Sequence, residues 1–294
     1  MKTFPPPALA SKSIIVAACA VRDPSKEFSS VISSLSTVLR SVYDSSSIIV
    51  VESSASPAAS ANFLRSCDQV QGLSIHSLGN LVDSIPNRIP RITYCRNILL
   101  QHIQTKVFHD EGVAHLLMFD YDPGPIRFLG TELLTRLKNI LDESTIDGIF
   151  PYSRPYYYDL TALRAMGWLT DDPWRIFVDS CLASGATNAL KDFIELQRPL
   201  PRFNYFIPVS SAFGGFGIYK FNSSLNLAYE SMKTPYGFTC EHISFNSRFN
   251  NLVIDPLWSP PAPREHILRW KPGLKIRALI YDLIGLDLRL LSYS

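Results

Sequence analysis

An α/β fold, with a mostly parallel central sheet flanked by helices, is what three features of the sequence predict. Apolar runs of strand length alternate with stretches of helical periodicity through the first half of the chain. The first of these runs is apolar throughout rather than at every second position, as a parallel strand covered on both faces requires. No internal repeat interrupts this order. Residues 14–20 form the first such run, and residues from about 26 to 43 follow at helical spacing, with Phe28, Val31, Ile32, Leu35, Val38 and Leu39. Residues 48–51 read as a second strand, ending in Glu52 and a Ser/Ala/Pro turn. A helix over 58–67, a third strand over 73–78 and a helix over 91–108 come next. His115 to Phe119 is a strand running directly into Asp120, and a helix over 128–141 and a strand over 148–150 complete the alternation.

From Pro151 onward aromatics and prolines cluster, with Tyr156, Tyr157, Tyr158, Trp168, Trp174, Phe203, Tyr205 and Phe206. This half is expected to be a substrate-binding lobe of loops and short elements laid on the sheet. No linker separates the halves, so residues 1–294 read as one domain, about 12–150 for the nucleotide side and about 151–294 for the acceptor side. The tail carries Ile276, Leu279, Ile280, Leu283 and Ile284 at helical spacing. A packed C-terminal helix and a basic amphipathic segment resting on a membrane both remain open, the second because of Trp270 and Lys271.

A hydrophobic fraction of 46% is enough for a substantial core, and 18% charged residues with a net charge of +2 give no nucleic-acid groove and no polybasic surface. The five cysteines are scattered without a Cys-x-x-Cys pair, which fits reduced, buried thiols better than a disulfide framework or a zinc site. No run approaches the roughly 18–20 apolar residues of a membrane span. The N-terminal prolines follow no apolar signal core, so the expected location is cytoplasmic.

Chemistry is concentrated at Asp120-Tyr121-Asp122. An apolar strand ends in two carboxylates one residue apart, and Pro123-Gly124-Pro125 stops its continuation. Alternate residues of an extended chain face the same way, so both carboxylates can converge at the carboxyl edge, where open α/β sheets bind ligands. A hard divalent ion sharing its shell with diphosphate oxygens suits such a pair. Taken alone, two aspartates at a solvated turn are the plainer reading.

Other segments supply complementary groups. Arg91, Arg96 and Asn97 open a helix and are candidates for a phosphate, which arginine grips in a bidentate way. Glu52 at the end of the second strand, Ala18 in the first and Arg22 just after it are the natural walls of a nucleotide site. Arg154, Tyr157 and Asp159 lie in a stretch dense in aromatic and polar groups, suited to the apolar faces and hydroxyl edges of a sugar; buried tyrosine packing competes with that reading. Gly214 and Gly215 allow close approach of backbone to a ligand, or simply kink a strand. Glu241, beside His242, is a candidate general base or a helix-capping carboxylate. His266 is a candidate third metal ligand beside Asp120 and Asp122, or a surface histidine.

Taken in order, Val51-Glu52-Ser53, Arg91 to Asn97, Asp120 to Asp122, Arg154 to Arg164, Gly214-Gly215 and Cys240-Glu241-His242 resemble the blocks of GT-A type glycosyltransferases. The likeness is to cryptococcal capsule-type α-1,3-mannosyltransferases and related bacterial and viral sugar transferases. It implies the GT-A fold, a nucleotide-diphosphate sugar donor (UDP- or GDP-linked), Mn2+ or Mg2+, and a carbohydrate or glycan acceptor. It also implies Asp120 facing the donor, Tyr121 beside it, and Asp122 on the metal. Two other functions compete. A sugar-nucleotide nucleotidyltransferase would carry a glycine-rich basic loop after the first strand, and residues 17–23 contain no glycine. A non-catalytic carbohydrate-binding protein would keep the fold without turnover.

Overall fold

Eight residues of the first strand, β1 (Ile14–Val21), show why the sheet is covered on both sides. Ile14, Val16 and Ala18 point into one core, while Ile15, Ala17, Cys19 and Val21 point into another. A continuous apolar run is thus two interleaved buried faces with a period of two. The computed structural model describes residues 12–107, 114–121, 126–202, 204–221 and 226–268. The helix expected near 276–284 and the candidate ligand Asp122 lie outside the described residues.

The chain continues through α1 (Phe28–Val42), β2 (Ser45–Glu52), α2 (Pro57–Cys67), β3 (Leu73–Ser77), α3 (Arg88–Val107), β4 (Ala114–Phe119), α4 (Thr131–Glu143) and β5 (Gly148–Pro151). Helices α5 (Pro173–Ser184) and α6 (Ala186–Glu195) follow, then β6 (Ile207–Val209), β7 (Phe216–Phe221), the small β8–β9 ribbon (Lys233–Thr234 and Gly237–Phe238), α7 (Glu241–Asn246) and β10 (Leu252–Asp255). Among the described residues the large sheet has the order β3-β2-β1-β4-β7-β5-β10-β6. β1 runs parallel to β2 and β4, β2 to β3, and β5 to β10. β7 is antiparallel to both β4 and β5, and β6 is antiparallel to β10. The mostly parallel α/β sheet expected from the sequence is therefore present, with two reversed strands in its second half.

The two cores sit on opposite faces. Phe28, Ile32 and Leu35 of α1 and Leu134, Leu137 and Leu141 of α4 cover one face of the sheet. Leu99, Leu100 and Ile103 of α3 cover the other, which extends under Tyr157, Trp174, Phe193 and Phe245. Burial of this apolar surface, at roughly 25 cal/mol per Å2, is what holds the helices to the sheet. The second half is more helical than its composition suggested. Asp172 caps α5 by accepting from the Trp174 N–H at 2.8 Å, Pro173 fills the first turn, and Gly185 at φ 81° separates α5 from α6.

This order places a topological switch point between β1 and β4. From β1 the chain moves outward to β2 and β3, then returns to add β4 on the other side. Crevices that accept ligands open at the carboxyl ends of the strands flanking such a point. No helix among the described residues is long and apolar enough to cross a membrane. All five cysteines are unpaired.

Candidate active site at the carboxyl edge of the sheet

Asp120 follows β4 directly and stands beside the switch point. Its backbone N–H donates to the Gly215 carbonyl at 2.9 Å, extending the β4–β7 ladder by one rung. Gly214 and Gly215 turn the chain into β7 with φ of 64° and 85°, a region where side chains are strained. A Cβ on Gly215 would lie 3.0 Å from the Tyr158 hydroxyl. The Gly214 N–H donates to Asp159 Oδ2 at 3.0 Å, and Asp159 Oδ1 accepts from Thr161 Oγ1 at 3.0 Å. Burial, with Asp120 adding to it, pushes the Asp159 carboxyl upward in pKa against those hydrogen bonds. Asp159 thus shapes the glycine turn from below.

Arg96 is the buried centre of the site. Its Nη2 donates to Asp120 Oδ1 at 2.6 Å and its Nη1 donates to Glu241. The guanidinium lies over the rings of Phe213 and Tyr229, 5.2 and 5.5 Å from their centroids. The Arg96 side chain is 4% exposed, Glu241 5% and Asp120 48%. Burial works against the arginine's charge, but the carboxylates of Asp120 and Glu241 outweigh it and push its pKa up. One fixed cation therefore serves two carboxylates, leaving a net negative charge that reaches solvent only at Asp120.

Several expected ligand contacts become internal supports. Asn97 exchanges two hydrogen bonds of 2.9 Å with the backbone of Tyr229, so it locks the ring above Arg96 rather than reaching a nucleotide. Arg96 spends both ends of its fork on carboxylates, not on a diphosphate. Ala18 is fully buried in mid-strand and belongs to the core, not to a ligand wall. Tyr157 is likewise fully buried, its hydroxyl accepting from the Phe213 N–H at 3.4 Å, so it packs the lobe instead of presenting a face to sugar. Glu241 is buried and ion-paired to Arg96, so its carboxylate is engaged inside the protein rather than presented at the surface. His242 is buried against Phe213 with centroids 3.7 Å apart, and burial together with Arg96 holds its pKa well below the ordinary value. Neither of its ring nitrogens, nor the Tyr229 hydroxyl, finds a hydrogen-bond partner among the described residues.

Glu52 is fully buried at the end of β2. It accepts from the Ser54 N–H, from Ser60 Oγ at 2.8 Å and from Ser77 Oγ at 2.7 Å. Burial raises its pKa, but these donors outweigh it and hold the group below the usual carboxylate range. It ties the ends of β2 and β3 to α2, which leaves no open carboxylate for a ribose. Arg22 is exposed beside Asp23 at 3.5 Å. Arg91 donates to the carbonyls of Ile85 and Pro86 at 2.7 and 3.0 Å. Burial lowers the Arg91 pKa, and the nearby charges of Arg22 and Arg88 lower it further. Arg22 follows β1, the strand beside β4, and Arg91 is close enough to feel its charge. Tyr121 bonds Ser25 at 2.7 Å and packs on Phe28, and Arg154 is exposed. His266 is exposed and stacks on Tyr158 at 5.3 Å.

Among the described residues no three histidine, cysteine or acidic side chains are grouped to hold a metal. Of the two carboxylates on Arg96, Asp120 is the exposed one, and its Oδ2 accepts no hydrogen bond among the described residues. A magnesium-like ion needs only one or two carboxylates when substrate phosphates complete its shell, so the donor set fits that chemistry. Two surface hollows, one lined by Glu132, Arg136 and Phe206 and the other by Ser30, Ser34 and Arg127, include none of these edge residues.

The fold and the edge together define an α/β protein with a half-exposed carboxylate, Asp120, beside its switch point. No family model matches the chain, and no curated protein does. Among solved structures it is similar to S. aureus TarS 1–349, with 12% identity and a TM-score of 0.42 over 94% of this chain and 68% of that one. It is also similar to M. tuberculosis glucosyl-3-phosphoglycerate synthase, with 13% identity and a TM-score of 0.39 over 95% of this chain and 82% of that one. That synthase in complex with Mn2+, UDP and glucosyl-3-phosphoglycerate gives 14% identity and a TM-score of 0.36, over 97% and 88% of the two chains. Likeness at this level assigns neither a family nor an activity.

Proposed function

We propose that this chain is a GT-A type glycosyltransferase, moving a sugar from a nucleotide-diphosphate donor to a hydroxyl of a carbohydrate acceptor. The observation that carries this reading is the Asp120 carboxylate, half-exposed at the switch point and held from behind by Arg96. A divalent ion, Mn2+ or Mg2+, would be held by Asp120, with Asp122 as its expected partner, and would offset charge gathering on the departing diphosphate. In the transfer the acceptor oxygen bonds to the anomeric carbon while the bond from that carbon to the phosphate oxygen breaks. The electron pair leaves with the diphosphate and the hydroxyl proton is released. Arg22 and Arg91 supply positive charge beside the edge for the phosphates. Gly214 and Gly215 allow the turn into β7 on whose carbonyl the Asp120 N–H rests, and are the expected backbone neighbours of the sugar.

The test is a thermal-shift screen of UDP- and GDP-sugars with and without Mn2+, followed by donor hydrolysis in the absence of acceptor. A donor at 100 times its Kd should add about 2.7 kcal/mol to the native state. That shift should vanish with EDTA, and slow release of nucleotide should accompany it. Failure of every nucleotide sugar to shift the melt would overturn the reading. A shift without turnover, in the presence of glycan acceptors, would assign binding rather than transfer.

A further inference from the structure

We infer that Glu241 and Arg96 are a positioning pair for Asp120: Glu241 anchors the arginine fork, and the fork fixes the angle of the carboxylate that receives the metal. This deepens the proposed function and rests on it. It gives Glu241 a role other than general base.

The geometry is that of a lever with one end tied down. Arg96 comes from α3, Asp120 from the end of β4 and Glu241 from the first turn of α7, so three separate elements meet through one guanidinium. Guanidinium is planar, and its two terminal nitrogens cannot move independently. Holding Nη1 on the buried Glu241 therefore sets the direction in which Nη2 meets Asp120 Oδ1. The plane is confined by Phe213 and Tyr229, and Tyr229 is itself pinned by Asn97. The segment before α7 is braced as well: Ser244 Oγ accepts from the Glu230 N–H at 2.7 Å and donates to the Glu230 carbonyl at 3.1 Å. Asp120 Oδ1 is thus committed to the fork, and Oδ2 of this half-exposed side chain accepts no hydrogen bond among the described residues.

Charge alone would give a different outcome from positioning, which makes the inference testable. A lysine at position 96 keeps the cation but cannot hold two carboxylates in one plane. If only charge mattered, Arg96→Lys would bind metal as the parent does. If the fork orients Asp120, that variant should lose affinity. Outer-shell partners that orient a ligating group typically account for about 10–100-fold in metal affinity.

The experiment is a Mn2+ titration followed by water-proton relaxation, on the full chain with no nucleotide, with circular dichroism and a thermal melt as controls for folding. Variants are Asp120→Ala, Arg96→Lys, Glu241→Gln, Glu241→Asp and the Arg96→Lys/Glu241→Gln pair. Asp120→Ala should abolish the enhancement; if it does not, the metal reading itself falls. Arg96→Lys, Glu241→Gln and Glu241→Asp should each raise the Mn2+ dissociation constant about 10-fold or more. The double variant should be no worse than the weaker single variant, because the two residues act as one unit. Glu241→Asp retains charge and shortens reach, so it serves where Glu241→Gln fails to fold. Parental affinity in folded Arg96→Lys and Glu241 variants, or strictly additive losses, would overturn the positioning pair while leaving the metal reading intact.

Discussion

Asp120 differs from its neighbours in one physical respect: it is the member of the buried ion cluster that reaches solvent. Replacing it by Ala takes one of two carboxylates from the buried Arg96, so it should lower stability while the fold persists in circular dichroism, and should remove metal-dependent donor binding in calorimetry. Metal-dependent donor binding that survives in the folded variant would overturn the role of Asp120. His115 supplies a second test. It is buried, with Nδ1 2.8 Å from the Tyr43 hydroxyl and Nε2 3.4 Å from Asp142. Burial, with Lys138 and Lys220 adding to it and Asp142 opposing, brings its pKa down to about 4. The unfolded chain then takes up this proton first. Stability from the group is complete above about pH 6.5 and is lost as pH falls toward the folded value, by at most about 1.4 kcal/mol per pH unit. Urea midpoints followed from about pH 7 downward should fall less steeply in His115→Gln. What the sequence made legible at this scale was the exposed group. Asp120 announces itself by ending an apolar strand, whereas Arg96 and Asn97 looked like ligand contacts because their true partners are distant: Glu241 is 145 positions from Arg96, and Tyr229 is 132 from Asn97.

The glycine turn before β7 and the paired helices α5 and α6 govern behaviour at the level of elements. Gly215→Ala should destabilise by about 1–3 kcal/mol, from left-handed backbone and the close Tyr158 hydroxyl, and should weaken donor binding through Asp120, whose N–H rests on the Gly215 carbonyl. Asp172→Ala removes the α5 cap and should lower stability by about 1 kcal/mol with donor kinetics unchanged. Equal loss of donor binding in both variants would show that the turn has no special place in the site. Strands β1, β2, β4 and β5 were readable from their apolar runs, and β3 from the alternation of Leu73 and Ile75 with polar residues. α5 and α6 were not read, although Asp172-Pro173, Gly185 and the apolar pairs Trp174–Phe177 and Ala189–Phe193 all signal them. The density of aromatics and prolines around them drew the reading toward loops. Buried aromatics also misled at Tyr157, since the same residue type serves a sugar platform and a core.

Across the whole molecule, stability should track the two cores and not the exposed apolar residues. Ile15→Ala in mid-sheet should lower unfolding free energy by about 2–5 kcal/mol, whereas Leu182→Ala, 71% exposed, should stay within about 0.5 kcal/mol by urea titration. Comparable effects would mean that Leu182 is covered in solution. The placement of β7 carries a further consequence, for synthesis. β4 and β5 are both made before it, yet neither pairs with the other, because β7 is inserted between them. Until residues 216–221 emerge from the ribosome, the nascent chain holds two central strands with bare hydrogen-bonding edges. Such edges recruit foreign strands. Chaperone demand should therefore peak when the chain has passed β5 and subside once β7 closes the gap, and ribosome-stalled chains ending before Phe216 should aggregate more readily than those ending after Phe221.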